Sequence, residues 1–212
     1  MKIDPTYVVS WDIFRSNPFP YLEVRRPFIL GLHDQTLWKP TIFHFFTRLL
    51  YDKNLLLRHY SQNIDGLDFK IDVPTSKLIL VHGSLSQVSC EGCGREMLNK
   101  TFTKLVKKQI KDIYGKDADA PKSSTCIICP GCSKPLVKPS TVLYGRKLPA
   151  AFEKNASKDA QAASLVIVAG TSLTVFPAAS LPDLAPSATR VVINRDYGAG
   201  STSIDFENND RG

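Results

Sequence analysis

The sequence predicts an α/β fold, a doubly wound parallel sheet with a small inserted module. Three observations predict it. Short apolar runs at Leu55-Leu56-Leu57, Leu78-Ile79-Leu80-Val81, Leu165–Ala169 and Arg190–Ile193 each stop at a cluster of polar residues. Segments with helical character lead into the first and third of these runs, at 41–52 and 150–163. Two Cys-x-x-Cys pairs, Cys90/Cys93 and Cys129/Cys132, interrupt this alternation. Apolar runs alternating with helices read as parallel strands joined by crossovers, and paired knuckles read as a separate metal-stapled insertion.

Composition sets the bounds. The 212 residues suffice for one domain, or one domain plus a module, with a sizeable core. A hydrophobic content of 43% and a charged content of 22% are ordinary for a globular chain. No apolar run approaches the ~18 residues of a membrane span. Met1-Lys2-Ile3-Asp4-Pro5 lacks the apolar stretch of a secretory signal, so nucleus or cytoplasm is the expected location. The net charge of +7 admits acidic partners. Its densest cluster, Lys104, Lys107, Lys108 and Lys111, has no interleaved aromatics. It is expected to be a solvated helix face, without direct nucleic-acid binding.

Residues 1–40 hold many prolines and aromatics, among them Pro5, Trp11, Phe14, Pro18, Pro20, Tyr21 and Pro27. The prolines are expected to divide this part into irregular segments and short helices. Thr41 is placed to cap a helix running to Asp52, with Phe43, Phe46, Leu49 and Leu50 at helical spacing. His44 beside that stripe reads as a packing or surface residue. A buried strand over 55–60 then ends in Gln62-Asn63-Ile64-Asp65 before Gly66. A second over 78–81 delivers His82 and Gly83. Ligands bind beyond the carboxyl ends of strands in open α/β sheets. An amide, a carboxylate and an imidazole gathered there can hold a polyhydroxylated ligand and move a proton. Taken singly, Asn63 and Asp65 read as a cap or an Asx-turn and His82 as a core histidine; the doubled pattern favours a site.

The inserted module spans 86–140. Cys90, Cys93, Cys129 and Cys132 have the spacing of a tetrahedral structural zinc site, with glycines placed to turn backbone amides towards the sulfurs. Cys126-Ile127-Ile128-Cys129 offers the same spacing, but Pro130-Gly131 suits a tight turn and Ile127-Ile128 does not. The stretch between the knuckles exceeds the usual ~15–20 residues, and an amphipathic helix over 101–113 fills it. An extended segment, Val137–Gly145, leaves the module. Beyond it, an alanine-rich helix at 150–163 precedes a parallel strand at 165–169 tipped by Gly170-Thr171-Ser172. Small residues after a strand can approach a phosphate or ribose closely. A last buried strand, Arg190–Ile193, is tipped by Asn194, Arg195 and Asp196. Gly198-Ala199-Gly200-Ser201 lacks a following helix and reads as a flexible loop rather than a nucleotide fingerprint.

Together these residues resemble the sirtuin family of NAD-dependent protein lysine deacylases, nearest its eukaryotic nuclear and cytoplasmic branch. The matching elements are Lys39-Pro40-Thr41, Gln62–Asp65, His82-Gly83, both knuckles, Lys138-Pro139 with Val142 and Gly145, Gly170–Leu173 with Val175 and Pro177, and Asn194. The resemblance implies a Rossmann-like domain from 1–85 and 141–212, lacking its first βα unit, around the 86–140 zinc module. It also implies that NAD lies between the two and that zinc is structural. His82 would be the general base and Asn63 would orient the ribose and a water. Asp65 with Ile64 would hold the nicotinamide amide, and Gln62, Gly170, Thr171, Ser172, Asn194 and Arg195 would complete the cofactor contacts. An acyl-lysine peptide, histone or other, is expected to add as a strand beside 139–145. Products would be nicotinamide and O-acyl-ADP-ribose. The family's Gly-Ala-Gly-x-Ser loop, its Pro-Asp-Phe-Arg segment and its last Gly-x-Cys adenine contact are missing from the sequence. At Ser140 and Arg146 the family usually has acidic residues. A fragment, an incomplete gene model or a degenerate paralogue is therefore expected, with limited NAD turnover by this chain alone. Two other readings stand beside the enzyme: a zinc-stabilised module that binds acyl-lysine without turnover, and a zinc-ribbon nucleic-acid binder.

Overall fold

A computed structural model describes residues 7–32 and 38–195. Pro5, Asp196 and the loop at 198–201 lie outside the described residues. In chain order the elements are α1 (Trp11–Ser16), α2 (Phe19–Gly31), α3 (Ile42–Asp52), β1 (His59–Ser61), β2 (Leu78–Leu80), β3 (Gly83–Cys90), α4 (Asn99–Gln109), β4 (Val137–Thr141), α5 (Ala150–Ala162), β5 (Leu165–Ala169) and β6 (Thr189–Ile193). The chain forms two compact units and threads between them several times. The first takes residues 1–46, 63–72 and 82–147; the second takes 47–62, 73–81 and 148–212. No helix among the described residues is long and apolar enough to cross a membrane.

The first unit is built on the antiparallel pair β3–β4, with α1, α2 and α4 contributing to its core. Phe102 and Val106, one turn apart on α4, and Ile110 just beyond it are fully buried. Phe14, Tyr21, Leu22 and Ile29 complete the core with Val88, Val137 and Leu143. The prolines do not chop α2 into pieces. Pro20 sits in its first turn, where no amide is needed. Pro27 lies inside it, on a helix whose Tyr21, Leu22, Arg26 and Ile29 are buried. That burial outweighs the missing hydrogen bond. Buried Arg26 donates to the Ile110 carbonyl at 2.9 Å and to Asp117 at 2.6 Å. Helix α4 runs 99–109 rather than 101–113, because the chain is extended at Ile110 and the Asp112 carboxylate gathers the amides of Tyr114, Lys116 and Asp117. The β3 register shifts between Ser84 and Val88, and Asn99 bonds the carbonyls of Leu85 and Ser86 beside that irregularity.

The second unit holds two parallel pairs, β1–β2 and β5–β6. Phe152 and Ala156 of α5 pack with Ile79 and Val81, while Val168, Leu173 and Ala179 form a second cluster. The expected strand at 55–60 is displaced to His59–Ser61. Leu55 is 72% exposed, so the leucine run is not a buried strand. Asn54 is left-handed, and the amides of Asn54 and Leu55 bond the carbonyls of Tyr51 and Leu50. This is a Schellman ending for α3, which consumes the leucines in the turn. Strand β6 is likewise not buried: Thr189, Val191 and Ile193 face solvent in a period of two. Of its residues only Val192 packs against the Val168 cluster.

Candidate functional site

The four predicted cysteines converge. The Sγ atoms of Cys90, Cys93, Cys129 and Cys132 all lie within 4.8 Å of one another. Cys90–Cys132 and Cys93–Cys129 stand at 3.6 and 3.7 Å. A tetrahedron with zinc–sulfur bonds of about 2.3 Å has edges of about 3.8 Å, so the spacing fits zinc. Cys126, exposed, is not part of the cluster. The knuckle glycines act as expected: the amides of Gly92 and Gly131 each donate to a sulfur, Cys90 and Cys129, at 3.3 Å. The Gly131 amide holds the Cys129 thiol down, to about 6. All four positions are sulfur, so a bound zinc ion would be closed to substrate and would hold β3 to the 129–132 turn.

His82 follows β2 along the chain and is half-buried. Its carbonyl accepts the Val142 amide at 2.9 Å. Gly83 is left-handed at φ 72°, and a Cβ there would lie 1.9 Å from the Ser140 carbonyl oxygen. Only glycine allows this approach. The His82-Gly83 backbone is thus stitched to the 139–145 segment. The Ile64 carbonyl accepts the Leu85 amide at 2.8 Å, so the chain from exposed Asn63 to Asp65 runs beside the start of β3. Asp65 accepts the Leu67 amide at 2.9 Å, the Asx-turn that stood as the alternative to a binding role for it. Left-handed Gly66 packs against Ser84 and Ser86.

In the second unit the strand tips also meet. Thr171 Oγ1 donates to Gln62 Oε1 at 3.0 Å and accepts the Leu173 amide. Asn194 Nδ2 donates to the Thr171 carbonyl at 3.1 Å, and its Oδ1 accepts the Arg195 amide. Gly170 is left-handed with open space at its Cβ position, so its conformation rather than crowding calls for glycine. Ser172 is exposed and pairs with Thr174. Gln62, Thr171, Asn194 and Arg195 therefore form one hydrogen-bonded chain at the ends of β1, β5 and β6.

A charged cluster that sequence reasoning missed underlies the 139–145 segment. The Lys138 side chain is 1% exposed and its Nζ lies 2.9 Å from Glu91. It also donates to the carbonyls of Pro139 and Thr141 at 2.9 and 2.5 Å. Burial pulls the Lys138 ammonium below the usual lysine range, and Glu91 opposes that pull. Glu91 also binds Arg146 at 3.0 Å, and the Arg146 guanidinium lies 4.6 Å from the Trp11 ring centroid. Tyr21 bonds Thr141 at 2.7 Å, its phenol pushed up to about 12 by burial. The sequence offered only a partial signal, a carboxylate at Glu91 inside a knuckle and cations without an acid over 137–150, with nothing to say that they meet.

The Sir2 family profile matches residues 2–177. The chain is 36% identical over 192 residues to the NAD-dependent protein deacetylase hst2 of Schizosaccharomyces pombe, covering 89% of this chain and 51% of that protein. It is 35% identical over 193 residues to the NAD-dependent protein deacetylase sirtuin-3 of Mus musculus, covering 91% and 51%. The chain thus spans about half the length of these relatives. A solved structure of Sir2Tm bound to a propionylated peptide superposes with a TM-score of 0.72 at 25% identity, over 93% of this chain and 75% of that one. The profile covers most of the sequence and the fold superposes at the same scale: the chain belongs to the Sir2 family, the sirtuins.

Proposed function

We propose that these residues form the core of an NAD-dependent protein lysine deacetylase. The observation that carries the reading is the stitching of His82-Gly83 to the 139–145 segment. It fixes a general base to the strand along which an acyl-lysine peptide adds. The acyl carbonyl oxygen attacks the nicotinamide ribose carbon, and the bond to nicotinamide breaks. His82 takes the proton of a ribose hydroxyl, which then attacks the bound acyl carbon. Water completes release of lysine and O-acyl-ADP-ribose. Asn63 orients the ribose and that water; Ile64 and Asp65 hold the nicotinamide amide. The Gln62–Thr171–Asn194–Arg195 chain, with Gly170 and Ser172, takes the adenosine half. Zinc on Cys90, Cys93, Cys129 and Cys132 is structural.

The NAD-binding part comprises 1–85 and 141–212 and the zinc module 86–140; the chain groups with the nuclear and cytoplasmic branch and works there, on histones or other acylated proteins. The test is nicotinamide release from NAD with an acetyl-lysine peptide. We expect His82→Ala to lower the rate about 10²–10⁴-fold, as for loss of a general base. Peptide affinity unchanged by His82→Ala, with no nicotinamide released by either chain, would select the non-enzymatic binding module instead.

A further inference from the structure

Glu91 faces two cations with one charge. Its Oε1 meets Lys138 at 2.9 Å and its Oε2 meets Arg146 at 3.0 Å. Burial decides which cation is neutralised. A sealed ammonium must be paired to stay charged, whereas the Arg146 side chain is 44% exposed. The uncompensated positive charge therefore sits on Arg146, with exposed Lys147 beside it. The Trp11 ring lies under the guanidinium, 4.6 Å from its centroid, and holds it by a cation–π contact. Only Nη2 is spent on Glu91, and a guanidinium has five donors in a fork that matches a carboxylate. Arg146 directly follows the 139–145 segment, and no carboxylate occurs from 137 to 150.

Resting on the peptide reading above, we propose that Arg146 is a specificity-determining residue. It favours acyl-lysine substrates with Asp or Glu near the modified lysine and disfavours Lys- and Arg-rich ones. Charges at the rim of an interface select partners more than they add affinity, so the effect is a preference among peptides.

The experiment titrates three fluorescent acetyl-lysine peptides, identical except for Glu, Gln or Lys beside the modified residue. Each is measured against the wild-type chain, Arg146→Gln and Arg146→Glu, at low and high salt. Wild type should bind the Glu peptide roughly two- to five-fold tighter than the Gln peptide, and the Lys peptide correspondingly weaker. Arg146→Gln should level the series, Arg146→Glu should invert it, and salt should shrink every difference. Arg146→Glu sets two carboxylates together, so thermal unfolding checks its fold and Arg146→Gln carries the test if it fails. Equal affinities in wild type, or a preference that survives Arg146→Gln, would overturn the inference and leave the deacetylase reading standing. Failure to bind any peptide would overturn both.

Discussion

Single residues carry two sharp expectations. At Gly83 a methyl group would overlap the Ser140 carbonyl, in a backbone conformation already hostile to side chains. Gly83→Ala should destabilise the first unit by at least about 2 kcal/mol, read as a lower urea midpoint. Asp159 accepts from Arg58 at 2.7 Å and from Tyr60 at 2.6 Å. Burial alone would raise its pKa, but these two partners outweigh burial and hold the carboxyl below the usual range. Its folded pKa is thus below the unfolded one. Its stabilisation is present above about pH 4 and disappears as pH falls through the depressed folded value. Asp159→Asn should cost about 2 kcal/mol at neutral pH and blunt that acid sensitivity, measurable by denaturant titration across pH. At this scale the sequence was legible where type and spacing act together. Four cysteines at two knuckle spacings leave few alternatives. Lys138, Glu91, Arg146 and Trp11 were not legible as a group, because nothing in their separation along the chain announces that they meet.

Elements show where local signals lose. The leucine run before β1 has the composition of a strand, yet the left-handed turn at Asn54 spends it on ending α3. The prolines of α2 have the composition of a breaker, yet a buried face of four residues holds the helix together. Helix α3 begins at Ile42, directly after Thr41 as expected, but His44 is the surprise: its Nδ1 accepts the Thr41 amide at 3.1 Å, the place a glutamate takes in a capping box. Helix α4 was legible from its apolar spacing, although it begins two residues earlier and ends four sooner than that spacing suggests. Its buried side gives a quantitative expectation. Phe102→Ala should cost about 3–5 kcal/mol, seen as loss of cooperative thermal unfolding, because the ring is fully enclosed.

For the whole molecule, parallel strands and a four-cysteine cluster were legible in the sequence, whereas the division into two compact units is not written in any local signal. That division depends on which distant segments touch, and the chain re-enters each unit repeatedly. Zinc removal gives an expectation at this scale. Chelation should raise hydrogen exchange through β3, α4 and β4, which share a core with Cys90 and Cys129, more than through α5, β5 and β6. Uniform deprotection of both units would contradict the assignment of zinc to one core. Lys138 supplies a built-in gauge of that opening. An amine enclosed by three oxygens cannot meet an acylating reagent or an acetyltransferase while the fold is shut. Mass spectrometry after brief labelling should therefore find surface amines such as Lys104 derivatised and position 138 blank. The first mark at 138 would report how often the enclosure breathes.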